Sequence, residues 1–176
     1  MKLEIINDIK KLIRDIPDFP KPGIIFKDIT PLLLEQEKFS QMIDLLADNY
    51  KDKDIDKIVA IEARGFILGS VLAYKLGVGL IPVRKAGKLP GEVLKTTYEL
   101  EYGTDTLEIH ADAIKPEDKL LIIDDVLATG GTVAGVVNLL HKLGANIQGI
   151  GFLIELEFLK GREKLVDQPI FSLLKY

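Results

Sequence analysis

One stretch decides the fold of this chain: Leu121-Ile122-Ile123-Asp124-Asp125-Val126-Leu127-Ala128-Thr129-Gly130-Gly131-Thr132. Its apolar start predicts a buried strand, and the pattern that begins near Thr132 predicts a helix. In open α/β sheets, ligands bind at the carboxyl ends of the strands. Gly130 and Gly131 allow the backbone to approach a ligand closely, and the amides at a helix start bind phosphate groups. The stretch therefore predicts a phosphate site between a strand and a helix.

On both sides of this stretch, short apolar strands alternate with helices. The predicted strands are residues 57–61, 79–83, 120–123 and 146–154, and the predicted helices are residues 65–76 and 132–143. Such alternation indicates βαβ units. We therefore expect an α/β fold with a mainly parallel central sheet and helices on both faces.

Two regions depart from the alternation. Near the amino terminus, an amphipathic helix over residues 3–13 precedes three prolines, and a second helix is expected over residues 39–50. Between the second and third strands, residues 95–100 and 106–110 predict an antiparallel ribbon. A long excursion in a compact domain is commonly functional, so we expect a mobile flap here.

The composition is typical of one globular domain: 176 residues, 47% hydrophobic and 28% charged, with a formal net charge of −4. A negative net charge argues against general nucleic-acid binding, which usually needs a basic patch. The chain has no cysteine, which excludes disulfides and thiolate catalysis. We find no signal-peptide pattern, and no apolar run approaches the roughly 18 residues of a membrane span. We therefore expect a cytoplasmic protein without nucleic-acid or membrane partners.

Asp124 and Asp125 give the phosphate stretch a second chemical role. Two carboxylates would repel a phosphate unless they face another group, and ribose hydroxyls or a bound Mg²⁺ are their natural partners. The stretch has no Gly-Lys-Thr or Gly-Lys-Ser, so it is not a nucleotide-hydrolysing P-loop. A tight strand-to-helix turn with capping threonines is the alternative, but it does not explain both acids and both glycines.

Two other stretches carry groups that suit an anion. Glu62-Ala63-Arg64-Gly65-Phe66 follows a predicted strand, and the Arg64 guanidinium is a bidentate donor for oxyanions. The alternative is a surface arginine at a helix start, where the helix dipole would disfavour it. Arg84-Lys85-Ala86-Gly87-Lys88-Leu89-Pro90-Gly91 opens the excursion, and taken alone this basic run is typical of a solvated loop.

One stretch could cover a flat ligand. Residues 19–31 are too rich in proline for a central strand or helix, but they can hold Phe26 as a stacking face. A purely structural clamp is the alternative. Residues 154–162 are a further stretch, around Leu156, which taken alone is equally well explained as a simple strand end and turn.

These five stretches, in their order along the chain, resemble those of the type I phosphoribosyltransferases and, more narrowly, the adenine phosphoribosyltransferases. The resemblance runs from about residue 17 to the last residue. It implies that Asp124 and Asp125 contact the ribose hydroxyls and that Ala128 to Thr132 hold the 5′-phosphate of phosphoribosyl pyrophosphate. It also implies that Arg64 binds the pyrophosphate and that a flexible loop, residues 85–109, closes over it.

The resemblance assigns further residues around the base and the pyrophosphate. Arg84, Lys85 and Lys88 belong to the basic run beside the pyrophosphate. Glu101 and Tyr102 occupy loop positions that reach the active site, with Glu101 as the group that exchanges a proton with the purine. The adenine pocket is assigned to Ile25, Phe26, Lys27 and Leu156. The family commonly has Arg where this chain has Lys27, which matters only if the side chain, and not the backbone, reads adenine.

The activity implied by the resemblance is the Mg²⁺-dependent joining of adenine and phosphoribosyl pyrophosphate, with AMP and pyrophosphate as products. The expected organisation is one domain, residues 1–176, with residues 1–34 as a hood, assembled as a homodimer. Two alternatives remain from the sequence. A related enzyme could use xanthine, hypoxanthine or guanine, and a non-catalytic regulator could sense phosphoribosyl pyrophosphate, although no residues remain for its second binding module.

Overall fold

The structure, a computed structural model, describes residues 2–99 and 104–176, and Glu99 through its backbone alone. These residues divide into two compact units, Met1–Asp48 and Asn49–Tyr176. In chain order the elements are α1 (Lys2–Lys11), β1 (Arg14–Pro17), β2 (Ile25–Asp28), α2 (Thr30–Leu34), α3 (Gln36–Asp48), β3 (Lys57–Ile61), α4 (Arg64–Leu76), β4 (Gly79–Lys85), β5 (Val93–Glu99), β6 (Thr104–His110), β7 (Lys119–Leu127), α5 (Gly131–Lys142), β8 (Asn146–Glu155) and β9 (Ile170–Lys175). Two short 3₁₀ helices, Glu157–Leu159 and Gly161–Lys164, lie between β8 and β9.

The first unit combines three helices with a two-stranded antiparallel sheet. Strand β1 pairs with β2, with Arg14 opposite Asp28, and the Arg14 Nε donates to Asp28 Oδ2 at 3.0 Å. Asp28 also accepts a hydrogen bond from the Thr30 amide at 2.9 Å, at the first residue of α2. Hydrogen bonds from Thr30, and then the Arg14 charge, lower the pKa of Asp28 to about 2. This carboxylate therefore joins the small sheet to the helix that follows it.

The second unit is built on a seven-stranded sheet in the order β5-β6-β4-β3-β7-β8-β9. Strands β4, β3, β7, β8 and β9 pair in parallel, and β6 pairs antiparallel to both β4 and β5. The mainly parallel sheet and the antiparallel ribbon are thus confirmed. The prediction that the ribbon is mobile stays a prediction.

Helices α4 and α5 cover opposite faces of this sheet. Crossover β3-α4-β4 and crossover β7-α5-β8 run in opposite directions along the sheet, and right-handed crossovers then place their helices on different faces. The side chains of β3 agree with this arrangement. Ala60 lies under Gly69 of α4, whereas Val59 and Ile61 belong to the core cluster that contains Val136 and Leu140 of α5. Alternate residues of one strand therefore supply two apolar layers.

Several boundaries differ from the predictions. Helix α1 ends at Lys11, two residues before the predicted end, because the chain turns there to enter β1. Helix α3 begins at Gln36 and ends at Asp48, two or three residues earlier at each end than predicted. Strands β1, β2 and β9 and helix α2 were not predicted, since each is only four to six residues long and too short to show a clear periodic pattern. Across residues 2–99 and 104–176, no helix is both long and apolar enough to cross a membrane.

Candidate active site

Strand β7 carries the two acids inside the strand, beyond the predicted end at Ile123. Its pairing with β3 stops at Ile123, but its pairing with β8 continues until Leu127 lies opposite Glu155. The predicted boundary was wrong because β8 continues to bond the strand after β3 has ended. Asp124 and Asp125 therefore lie just beyond the last residue that pairs with β3, at the carboxyl ends of the parallel strands.

The predicted phosphate loop forms a concave wall directly after β7. Residues 128–130 join the strand to α5, and Gly130 adopts a left-handed conformation with φ of 77°. A cavity of about 70 Å³ is lined by Asp124 and by residues 126–133. All five residues assigned to the 5′-phosphate, Ala128 to Thr132, lie along this one cavity.

The segment after β8 lies against the phosphate loop. A Cβ atom on Gly130 would lie 2.4 Å from the Gly161 carbonyl oxygen, and one on Gly161 would lie 2.2 Å from the Ala128 carbonyl oxygen. Both distances are impossible for real atoms, so neither position has room for a side chain. The Leu156 amide also donates to the Leu127 carbonyl at 2.9 Å. Leu156, which was assigned to the base pocket, therefore lies beside the end of β7.

An ion pair between a buried carboxylate and a partly exposed arginine fixes this segment. Arg162 donates to both carboxylate oxygens of Glu155, at 2.6 and 2.7 Å. Hydrogen bonds from Arg162 lower the pKa of Glu155 in spite of its burial. Glu155 ends β8 and Arg162 follows Gly161, so the bidentate pair closes the chain around the residues that contact the loop.

The turn after β3 brings Arg64 to the acids of β7. Arg64 is the first residue of α4, and its Nε lies 2.7 Å from Oδ2 of Asp125. A Cβ atom on Gly65 would lie 2.9 Å from Oδ1 of Asp124, so only glycine permits this approach. The predicted pyrophosphate turn and the predicted ribose acids are therefore in direct contact.

The two acids differ in their surroundings. Asp125 is buried, with 6% of its surface exposed, whereas Asp124 keeps a partly accessible surface. Desolvation of its carboxylate and then the charge of Asp125 raise the pKa of Asp124. Burial also raises the pKa of Asp125, but the Arg64 guanidinium opposes that rise. When the pair takes up a proton, Asp124 is therefore the favoured carrier.

Glu62 binds residues of the basic run and holds that run beside the same turn. Its side chain is 9% exposed and accepts hydrogen bonds from Lys88 Nζ at 2.7 Å, from the Lys85 amide at 2.9 Å and from Arg84 Nη2 at 3.4 Å. Burial alone would raise the pKa of Glu62, but these donors outweigh it and lower the pKa to about 2. No role was predicted for Glu62. The sequence features that could have indicated one are an acid two residues before Arg64 and a basic run later in the chain.

The three residues of the first unit that were assigned to the base pocket lie on β2. Ile25 is 54% exposed, and the ring of Phe26 meets that of Phe19 edge to face, with centroids 5.2 Å apart. The Lys27 Nζ lies 2.6 Å from Asp15 on the neighbouring strand. This unit therefore presents apolar surface around Ile25 and Phe26, while the Lys27 side chain is engaged by a carboxylate. Glu101 and Tyr102 lie outside the described residues.

The acids near the loop suit a metal that takes most of its ligands from a substrate. Within residues 2–99 and 104–176, no group of three or more His, Asp or Glu side chains is arranged to hold a metal ion. Asp125 is paired with Arg64, which leaves Asp124 as the more accessible oxygen donor. Mg²⁺ commonly binds through one or two carboxylates together with substrate phosphates, so these residues fit such an ion.

A larger hollow of about 470 Å³ is lined by one face of α1 alone, at Glu4, Ile5, Asn7, Asp8 and Lys11. A single helix face encloses no ligand, and the chemical groups described above lie in the other unit. We therefore place the candidate site at the ends of β3 and β7.

Comparisons with known proteins show the family to which this chain belongs. The phosphoribosyl transferase domain family matches residues 32–171. The adenine phosphoribosyltransferase of Halothermothrix orenii is 61% identical over 96% of this chain and 99% of its own length. The crystal structure of the Thermoanaerobacter pseudethanolicus adenine phosphoribosyltransferase is 53% identical and superimposes with a TM-score of 0.95, covering 97% of this chain and 99% of that one.

A second solved structure carries ligands. The Saccharomyces cerevisiae adenine phosphoribosyltransferase, complexed with an imino-altritol bisphosphate and adenine, is 43% identical with a TM-score of 0.91, covering 98% of this chain and 99% of that one. Identity above one half over nearly the whole length, the match of the domain family and the shared sheet lead to one conclusion. This chain belongs to the adenine phosphoribosyltransferases, within the phosphoribosyl transferase domain family.

Proposed function

We propose that this protein transfers the phosphoribosyl group of phosphoribosyl pyrophosphate to adenine, in purine salvage, and releases AMP and pyrophosphate. The observation that carries the proposal is the contact between Arg64 and Asp125 beside the phosphate loop. It joins groups suited to a pyrophosphate, a ribose and a 5′-phosphate within one site. The adenine complex of the yeast relative supports adenine as the base.

The 5′-phosphate binds at residues 128–132. Loop amides at the start of α5, together with the hydroxyls of Thr129 and Thr132, donate hydrogen bonds to its oxygens. The Asp124–Asp125 pair accepts hydrogen bonds from the ribose hydroxyls. These contacts fix the sugar so that its C1′ atom points away from the loop, where the two reacting groups can lie on opposite sides.

The bond between C1′ and the pyrophosphate oxygen breaks as the ribose gains positive, oxocarbenium-like character. Arg64 stabilises the charge that develops on the departing pyrophosphate, and Arg84, Lys85 and Lys88 add positive charge nearby. Stabilisation at the place where charge develops lowers the barrier instead of merely tightening binding. Adenine N9 attacks C1′ from the opposite face, and Glu101 takes the proton that the purine loses. Tyr102 and the rest of the 85–109 loop exclude water, which would otherwise hydrolyse the activated sugar.

Mg²⁺ is the cofactor in this proposal, held mainly by substrate oxygens with Asp124 or Asp125 as protein ligands. When bound, it would neutralise negative charge on the pyrophosphate. The position of Asp124 on the wall of the loop cavity supports this assignment, because Asp125 is already paired with Arg64.

Adenine recognition is assigned to Ile25, Phe26, Lys27 and Leu156 through the family resemblance. The ion pair between Lys27 and Asp15 supports recognition through the backbone at residue 27, since the side chain is engaged elsewhere. The same proposal includes one domain with a 1–34 hood, a homodimer and a cytoplasmic location. These assignments are supported by the family resemblance.

The decisive test is AMP formation from phosphoribosyl pyrophosphate and Mg²⁺ with adenine, hypoxanthine, guanine or xanthine as the base. We expect turnover with adenine at least about a hundredfold above the 6-oxo bases, because a site that accepts from an amino group leaves a carbonyl unpaired. Comparable turnover with a 6-oxo base would contradict the choice of adenine. Binding of phosphoribosyl pyrophosphate without turnover of any base would instead indicate a regulator.

A further inference from the structure

Tyr98 on β5 is packed against the helix that carries the phosphate loop. It is 8% exposed, and a Cβ atom on Gly135 of α5 would lie 2.9 Å from the Tyr98 Cβ and 3.3 Å from its Cγ. Gly135 lies one turn after Thr132 on the same helix face. The tyrosine therefore occupies the space that a side chain at residue 135 would fill, beside the last residue assigned to the 5′-phosphate.

The Tyr98 hydroxyl connects the loop to the base of the flap. It donates to Asp105 Oδ2 at 3.4 Å and lies close enough to the Thr132 side chain to interact with it. The same Asp105 oxygen lies 3.1 Å from Nζ of Lys85. Thr132, Tyr98, Asp105 and Lys85 thus form one chain of polar contacts, from the 5′-phosphate loop to the basic run assigned to the pyrophosphate.

We propose that Tyr98 is a positioning residue for the phosphoribosyl substrate, whose hydroxyl directs the Thr132 hydroxyl toward the 5′-phosphate and links that phosphate to Lys85. The proposal rests on the proposed function. A hydroxyl has one proton, so a Thr132 that donates to phosphate can only accept from its neighbour. The Tyr98 hydroxyl is placed to turn from Asp105 and donate to Thr132. Asp105 then loses one donor and pairs with Lys85 alone.

The substitution Tyr98→Phe tests the hydroxyl while keeping the ring that fills the space at Gly135. The matched control is Tyr74→Phe on α4, where the tyrosine is 89% exposed. Both changes remove one phenol hydroxyl, but only the first removes a hydroxyl beside Thr132.

Calorimetric titration of each variant with AMP and with adenine gives the readout. We expect Tyr98→Phe to weaken AMP about fivefold, the effect of one neutral hydrogen bond, and to leave adenine affinity unchanged. Tyr74→Phe should change neither. In a Thr132→Val background, Tyr98→Phe should weaken AMP less than about twofold further, because the coupled partner is already absent.

A second variant tests the far end of the chain of contacts. Asp105→Asn keeps the Tyr98 ring and hydroxyl, so AMP affinity should stay within about twofold of wild type. The KM for phosphoribosyl pyrophosphate should rise about three- to tenfold, because only that ligand uses Lys85. An unchanged KM would overturn the link to Lys85. This test does not depend on the folding of Tyr98→Phe.

Two results would overturn the role of the hydroxyl: wild-type AMP affinity in Tyr98→Phe, or equal weakening of AMP and adenine that persists in the Thr132→Val background. Failure of the wild-type protein to bind AMP would instead overturn the proposed function. The two failures are therefore distinguishable.

Discussion

The Nε atom of Arg64 lies 2.7 Å from Oδ2 of Asp125, and this contact joins the turn after β3 to the acids of β7. Asp125 is buried, so its charge needs a partner, and the guanidinium is the partner that the fold supplies. In the proposed mechanism the same guanidinium serves the pyrophosphate. Arg64 thus has one role in the stability of the protein and another in its chemistry.

Replacement of Arg64 should separate these two roles. Arg64→Ala should lower kcat/KM for phosphoribosyl pyrophosphate by about 10²- to 10³-fold, the usual loss of an oxyanion donor. Arg64→Lys should recover only part of it, because ammonium lacks the bidentate fork. Chemical denaturation should show Arg64→Ala destabilised by about 1–3 kcal/mol, with part of the stability restored by adding Asp125→Asn. Full stability in Arg64→Ala would contradict the ion pair's role.

Glu62 should make stability depend on acid pH. Its folded pKa of about 2 is below the ordinary value of 4.5, so its stabilisation is complete above pH 4.5 and is lost as pH falls through 2. Because Lys88 is half-exposed, screening should limit the contribution to about 1 kcal/mol. The free energy of unfolding should therefore differ between wild type and Glu62→Gln at pH 6, and the difference should shrink toward pH 3. A constant difference would refute the pKa shift.

Gly161 should tolerate no side chain. Gly161→Ala places a methyl group on the Ala128 carbonyl, and we expect a loss of about 2 kcal/mol or more in the free energy of unfolding, with a higher KM for phosphoribosyl pyrophosphate. Gly79→Ala is the control, because its Cβ would meet Lys57 Cγ, a flexible side-chain atom, at 3.1 Å. That variant should stay within about 1 kcal/mol of wild type. Equal effects at the two positions would exclude support of the loop by Gly161.

Magnesium should bind with the substrate and only weakly without it. A chelator should abolish turnover but leave the melting temperature of the free protein unchanged, since the described acids do not form a metal cage. Calorimetry should show much tighter Mg²⁺ binding when phosphoribosyl pyrophosphate is present. Tight binding to the free protein would point to a protein-built metal site.

Glu101→Gln tests the assigned proton transfer. We expect kcat to fall by about 10²- to 10⁴-fold, the range of general acid–base catalysis, with little change in the KM for phosphoribosyl pyrophosphate. Glu92→Gln, at an exposed position before the same ribbon, should leave both parameters unchanged. Intact turnover in Glu101→Gln would remove Glu101 from the mechanism.

Local sequence patterns were sufficient for the inner strands of the central sheet and for the loop. Strand β3 was predicted over its full length, because five consecutive residues with an apolar core can form one buried strand. The loop at residues 128–130 was predicted because its glycines and flanking acids are adjacent in the chain. These features depend on neighbours in sequence, and their physical causes can be read there.

Features that depend on distant partners could not be predicted. The end of β7 is set by its pairing with β8, and the hydrogen bond between Glu62 and Lys88 spans 26 positions in the sequence. The contact of Gly161 with Ala128 has the same character, since nothing in the residues near Gly161 signals a phosphate loop. Tertiary contact decides such roles, and sequence spacing does not encode it.

The contact between Gly130 and Gly161 has a practical consequence for protein engineering. The phosphate loop cannot be transferred alone to another protein, because its outer side packs against a segment that begins after β8. A graft of residues 121–132 into another scaffold would need residues 156–162 as well, together with the ion pair that holds them. For the same reason, removal of the residues that follow residue 156 would damage the nucleotide site as directly as a substitution in the loop itself.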